Sequence, residues 1–345
     1  MVEEIVKLKN ILIIGMGGTI AGVAPNPDLD PLQYAAGQVS IADLLKNSLP
    51  IQLSEQVHLE TLQLANINSA DLTEGLMSEL GQSVCYALKN PQYDGIVITH
   101  GTDTMEETGL FLHLVCSRLA KNLSKAVVLT GAMLPSNAPL ADGPQNLSQA
   151  VELAAFLGAS FEPRLQLGGG IYGVFAGKVI CAKNYIKRSS NQINAPVMDS
   201  PDLCSATNST QSFCSEFALD FPQRGEVWPW VEVLTSHAGA RPDLLRFLVN
   251  QGVDGIVLAG TGQGNIHENL IESILEAKEQ KIPMIRASRT LLGDIRPEVP
   301  VSDQFLGTVA ARNLSPAKAR IALQLFLYSH RTKKDLDLGR LFDTI

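Results

Sequence analysis

Three apolar runs near the start of this chain each end in a short polar stretch. Gly17-Gly18-Thr19 follows ILIIGM, Thr99-His100-Gly101-Thr102-Asp103-Thr104 follows DGIVI, and Thr130-Gly131-Ala132-Met133 follows KAVVL. Together they offer hydroxyls, a carboxylate and backbone N–H groups bared by glycine. Such a set suits either the cradling of a phosphate or hydroxyl chemistry in which N–H groups face a developing oxyanion.

The phosphate reading rests on the glycine-rich turn after a first strand, and the details oppose it. Gly15-Met16-Gly17-Gly18 lacks the GxGxxG spacing, VHLETLQLA offers no clear ribose-binding acid, and VAPNPDLDPLQYAAG after Gly22 carries three prolines that resist a helix. A loop from about Gly22 to Gly37 fits better, and loops of that length between packed elements are commonly lids. A lone threonine in a turn is most often a cap. Thr102-Asp103 likewise reads as the start of a helix, TDTMEETGLFLHLVCSRLA, with Glu106 and Glu107 suited to the positive end of its dipole. Capping and facing a developing oxyanion are compatible duties for that turn.

The elements that must position these residues alternate. Short runs such as NILIIG, YDGIVITHG and KAVVLTGAM are apolar throughout, while SADLTEGLMSELGQSVCYALK and NLSQAVELAAFLG follow the helical period. Strand, helix, strand, helix predicts parallel strands joined by crossover helices and covered on both faces. Ligands in such sheets sit outside the carboxyl ends of strands, where the three polar stretches fall. From about Arg188 to Arg224 the chain is rich in Ser, Asn, Asp and Pro without either period, and a second alternating series follows. The reading is two α/β domains: a larger N-terminal doubly wound, mostly parallel sheet over residues 1–200, a linker over 201–224, and a smaller C-terminal parallel-sheet domain over 225–345.

Bulk properties narrow the function. At 345 residues the chain exceeds the usual limit of one core, and its formal charge of -8 with no basic run argues against nucleic acid. No stretch approaches the roughly 20 apolar residues of a membrane span. Cys85, Cys116, Cys181, Cys204 and Cys214 are odd in number and lack CxxC spacing, which fits a reducing compartment. The opening MVEEIVKLKNILIIG has no basic n-region or cleavage site, and a cytoplasmic address is expected. His58, His100, His113, His237, His267 and His330 show no ligand spacing, so neither metal nor cofactor is implied.

GMGGTIAG and VITHGTDTMEET resemble the two motifs of the bacterial-type L-asparaginases, the threonine amidohydrolases. VVLTGAMLPSNAPLADGPQNL, DGIVLAGTGQGNI and LSPAKARIALQL extend the resemblance over nearly the whole chain. It implies hydrolysis of L-asparagine to L-aspartate and ammonia through an acyl-threonine, with Thr19 as nucleophile and Tyr34 orienting its hydroxyl. Thr102, Asp103 and a lysine form the second half of the implied site, since a hydroxyl needs a base or cation to become reactive. Lys178, Lys183 and Lys187 are candidates, and Lys187 is chosen because intracellular members place theirs nine residues beyond a lysine like Lys178. Met16 stands where the family usually has threonine and should point away from substrate.

Substrate binding falls by the same resemblance to Ser69 and Asp103, which face the α-carboxylate and α-ammonium groups. Ala132, from the third polar stretch, joins the substrate-binding set. Ala70 follows Ser69 where the family often has Gln or Glu, which bears on side-chain preference. Asn265 and, across a two-residue gap, Glu298 resemble residues that a neighbouring subunit contributes, implying a homo-oligomer built as a dimer of dimers. The alternatives are a dual glutaminase-asparaginase, since one methylene separates the substrates, an amidotransferase subunit, which would need a further N-terminal domain, and a non-catalytic amino-acid sensor on the same fold.

Overall fold

Apolar runs become strands wherever both faces can be covered. The computed structural model describes residues 8–46, 48–157, 167–191, 217–291 and 293–345. The chain divides into two compact units, Met1–Ala218 and Leu219–Ile345.

The first unit holds strands β1 (Lys9–Gly17), β2 (Val57–Ile67), β3 (Gly95–Thr99), β4 (Ala126–Thr130), β5 (Gly170–Phe175) and β6 (Lys178–Cys181). Its helices are α1 (Ile41–Leu45), α2 (Ile51–Ser54), α3 (Glu74–Lys89), α4 (Met105–Asn122) and α5 (Gly143–Phe156). The sheet order is β2-β1-β3-β4-β5-β6, parallel except for the last pair. This is the expected mostly parallel sheet. Every residue of β3 and β4 is buried, as continuous Val/Ile/Leu runs require of strands covered twice. Leu147, Ala150, Val151 and Ala154 of α5 meet Ile11, Ile13, Val97 and Val128 on one face. α3 and α4 pack together and against the strands of the same sheet. Register brings the carboxyl ends level, because Gly15 lies beside Thr99 and Thr99 beside Thr130.

The second unit repeats the logic with four parallel strands, β7 (Val231–Thr235), β8 (Gly255–Gly260), β9 (Met284–Ser288) and β10 (Thr308–Ala310), in the order β10-β9-β8-β7. Helices α6 (Asp243–Asn250), α7 (Ile271–Glu279), α8 (Asp303–Leu306), α9 (Pro316–His330) and α10 (Leu338–Thr344) accompany them. Leu245, Leu248, Ile256, Leu258, Ile274 and Met284 share its core. Most of the linker lies outside the described residues, and residues 217–230 form neither helix nor strand. No helix among the described residues is long and apolar enough to cross a membrane.

One local expectation needs correcting. α4 does not start at Thr102: its N-cap is Thr104, which makes no side-chain cap. The Thr104 hydroxyl instead donates to the Ser69 carbonyl at 2.9 Å. Thr102 and Asp103 therefore sit in a turn ahead of the helix, with their side chains committed elsewhere.

Candidate active site

Gly18 is where the site closes. It holds φ 81° and ψ −169°, a region essentially reserved for glycine, and its N–H donates to the Ile67 carbonyl at 2.8 Å. A Cβ here would lie 2.3 Å from the Gly101 Cα, and one on Gly101 would lie 2.5 Å from the Ser69 Oγ. The ends of β1, β2 and β3 thus meet in backbone contact, with Thr19 and Thr102 each next in chain after the touching glycines. Glycine lets the strand ends approach; the threonines follow from that approach.

Thr19 begins a single 3-10 turn and is buried. Its Oγ1 lies 2.7 Å from the Tyr34 hydroxyl. Met16 is 2% exposed and belongs to the core. Tyr34 arrives on a loop stitched at its base. Val23 and Ala35 exchange backbone hydrogen bonds at 2.9 and 3.0 Å, and Ala24 exchanges two more with the Asn137 side chain. Ser136 also donates twice to the Gly22 carbonyl. The loop expected over Gly22–Gly37 is therefore tied at its base, and its exposed part is the tip around Pro25–Gln33.

The second half of the site forms around Lys187. Its ammonium donates to the Thr102 Oγ1 at 2.9 Å and to the Asp103 carboxylate at 2.5 Å. Of the three lysine candidates Lys187 alone is shown on Thr102 and Asp103; Lys178 is exposed at the start of β6, and Lys183 lies in a 3-10 turn. Since Lys187 occupies an acceptor position of Thr102, the Thr102 proton is left for a weak 3.8 Å contact to the Met133 sulfur or for an incoming group. Ser69 is buried, and its Oγ accepts from the Asp103 N–H at 3.3 Å. Ala70 beside it is exposed and contributes no polar side chain.

Neighbouring groups hold this geometry; of these the sequence marks His100 and Ala132 but not Asp142. His100 is fully buried, with Nδ1 2.7 Å from the Gly101 carbonyl and Nε2 3.0 Å from the Thr108 hydroxyl. Burial pushes its pKa down, so it is a neutral strut under the Gly101 turn. The Asp142 carboxylate accepts the N–H groups of Met133 and Leu134, fixing the turn after β4. Ala132 is 1% exposed, with its methyl 3.5 Å from where a Cβ on Gly143 would lie.

In the second unit Asn265 is exposed on a tight turn closed by paired backbone hydrogen bonds to Thr261, at 2.7 and 2.9 Å. Glu298 has both carboxylate oxygens engaged, accepting from the Ser302 hydroxyl at 2.7 Å and the Gln304 N–H at 2.9 Å at the start of α8.

Comparison with known proteins gives this constellation its context. The family description "Asparaginase, N-terminal" matches residues 10–211, and "Glutaminase/Asparaginase C-terminal domain" matches residues 230–338. The chain belongs to the asparaginase family. It is 32% identical to a probable periplasmic L-asparaginase of Haemophilus influenzae, over 95% of this chain and 91% of that protein. It is 30% identical to L-asparaginase 2 of Escherichia coli, over 97% and 93% of the two chains. It is also 30% identical to a glutaminase-asparaginase of Acinetobacter glutaminasificans, over 95% and 97%. Among solved structures, a probable cytoplasmic L-asparaginase from Campylobacter jejuni superposes with a TM-score of 0.80 at 29% identity, covering 98% of this chain and 100% of that one. Both the α/β class and the two-sheet arrangement agree with that structure.

Proposed function

We propose that this protein hydrolyses L-asparagine to L-aspartate and ammonia by way of an acyl-threonine. The observation that carries the reading is the backbone contact of Gly18 with Gly101, which sets the Thr19–Tyr34 pair beside the Thr102–Asp103–Lys187 cluster. Thr19 Oγ1 attacks the side-chain amide carbon, with Tyr34 fixing the direction of the hydroxyl. The C–N bond breaks and ammonia leaves with the threonine proton. Water, placed by Thr102, then attacks the acyl carbon, and its proton returns to Thr19 as aspartate departs. Lys187 supports Thr102 by donating to its oxygen, and the carboxylate of Asp103 holds Lys187 and faces the substrate ammonium. Ser69 faces the α-carboxylate, and the Ala132 backbone lines the same crevice.

Asn265 completes the pocket from the second unit of a neighbouring subunit, in a dimer of dimers, and the protein works in the cytoplasm. The resemblance groups Glu298 with Asn265; in this chain its carboxylate supports the start of α8, accepting from the hydroxyl of the Ser302 N-cap and from the Gln304 N–H. A glutaminase activity beside the asparaginase one is the second reading, supported by the exposed Ala70 in place of a polar neighbour to Ser69 and by the similar glutaminase-asparaginase. The test is ammonia release from L-asparagine and L-glutamine by the wild type and by Thr19→Ala. Turnover of asparagine that depends on Thr19 is expected; near-wild-type release by Thr19→Ala overturns the mechanism.

A further inference from the structure

Cys85 on α3 and Cys116 on α4 place their sulfurs 3.2 Å apart, and both are free thiols. Covalent S–S bonding needs about 2.05 Å, a closure within reach of small side-chain rotations. The two positions correspond. Each cysteine lies eleven residues after the first residue of its helix, Glu74 or Met105, and the helices pack together in the first unit. α3 leads away from the Ser69 turn and α4 from the Thr102–Asp103 turn, so the thiols join the same two supports farther from the site.

The pair is chemically asymmetric. Cys85 is half-buried and open to a small reagent, whereas Cys116 is 0% exposed. A hydrogen bond from the Cys116 thiol lowers the Cys85 pKa, and the Lys89 charge one helical turn on adds to it against the opposing effect of burial. That same contact, with burial, raises the Cys116 thiol. Cys85 is therefore the nucleophile and Cys116 the proton-bearing partner. The remaining described cysteine, Cys181, is buried 3.8 Å from His113; Cys204 and Cys214 lie outside the described residues.

We propose that Cys85 and Cys116 are an oxidisable dithiol whose co-reactant is hydrogen peroxide and whose product is a disulfide bracing α3 to α4. The Cys85 thiolate attacks one peroxide oxygen; the O–O bond breaks, Cys85 becomes a sulfenic acid, and the departing hydroxide takes a proton to become water. The Cys116 sulfur then attacks the Cys85 sulfur, the S–O bond breaks, and a second water leaves with the Cys116 proton. Two thiols lose two electrons in total, and one peroxide is reduced to two waters. This inference stands whether or not the chain hydrolyses asparagine.

The full-length protein is treated with hydrogen peroxide and mapped by peptide mass. A Cys85–Cys116 linked peptide, reversed by a dithiol reductant, is expected, with a Tm higher by about 5 °C than that of the reduced chain. In Cys116→Ser the oxidation should stop at Cys85 sulfenic acid, trapped by a dione reagent, while in Cys85→Ser the sealed Cys116 should remain a thiol. Wild-type mapping needs no variant to fold. Both cysteines surviving as thiols at peroxide concentrations that oxidise free glutathione in the same solution would overturn the proposal. So would linkage of either one to a different cysteine, or an oxidised chain no more heat-stable than the reduced one.

Discussion

Adding one methyl group to Gly18 should disable the site without dismantling the fold. In Gly18→Ala the new Cβ would lie 2.3 Å from the Gly101 Cα and 2.4 Å from its nitrogen, both backbone atoms that no side-chain rotation can clear. Ordinary contact begins at 3.4 Å, so the ends of β1 and β3 must part by about 1 Å, a misplacement of reacting groups that can cost on the order of 10²-fold in rate. Alanine also bears the strain of a backbone region populated almost only by glycine, about 1–3 kcal/mol. Gly225→Ala separates the two effects. Its φ is +88°, yet nothing lies within 4 Å of its Cβ, so it should lose about 1–2 kcal/mol of stability and retain turnover. Thermal unfolding and steady-state ammonia release are measured for both, at a temperature where each is folded. Wild-type kcat/KM in folded Gly18→Ala, or an equal activity loss in Gly225→Ala, would refute the claim that the Gly18–Gly101 approach aligns the threonines.

Lys187→Met should lower kcat by about 10²–10⁴-fold with a smaller change in KM, whereas Lys178→Met should leave both unchanged, read from the same ammonia assay. Mixing inactive Thr19→Ala with inactive Asn265→Ala under conditions of subunit exchange should restore a fraction of turnover, and no recovery despite proven exchange places Asn265 outside a shared site. Asp303 should support the second unit only above its titration. Burial works against its charge, but hydrogen bonds from Arg286, Thr308 and the Glu298 N–H outweigh that and hold its pKa below 3.8. A depressed carboxyl stabilises the fold above the unfolded-state pKa and loses that contribution as pH falls through the folded one. Asp303→Asn should therefore cost about 3–5 kcal/mol near neutral pH, and its deficit relative to wild type, followed by denaturant unfolding, should shrink only below about pH 4.

The strand ends were legible because burial on both faces makes a parallel strand apolar throughout, and the first hydroxyl or glycine after the run marks where the chain leaves the sheet. Three such exits in the sequence point to one crevice. Short elements were not legible: β10 has three residues, and α8 four, too few for any period to register. Lys187 is singled out by the resemblance alone, since a lysine in a polar stretch otherwise reads as a solvated charge. The Thr102 turn misled for a physical reason. Threonine before a helix usually caps it, but here an ammonium 85 residues away in the chain takes the Thr102 oxygen, and long-range partners leave no local mark.

That competition clarifies how the site is built. A threonine that caps its helix commits an acceptor position of its oxygen to a backbone N–H, and that position is then closed to another donor such as an ammonium. With the N-cap at Thr104, whose hydroxyl is itself turned to the Ser69 carbonyl, α4 gives up its side-chain cap and the preceding two residues are freed. The second unit hides its organisation in the same way. Nothing in the sequence pairs Arg286 with Asp303, yet Arg286 is 0% exposed and grips both oxygens of Asp303 at 2.7 and 2.8 Å. Its remaining N–H groups reach the carbonyls of Gln263 and Arg296, at 2.7 and 2.9 Å. One guanidinium thus joins the turn that ends in Asn265 to the segment that ends in Glu298. A buried ion pair is weak evidence for stability, because a close-packed apolar pair could replace it; what an apolar pair cannot do is hold several loop carbonyls at fixed positions. Fixing the turn behind Asn265 is therefore the more economical account of why a charge pair occupies that core.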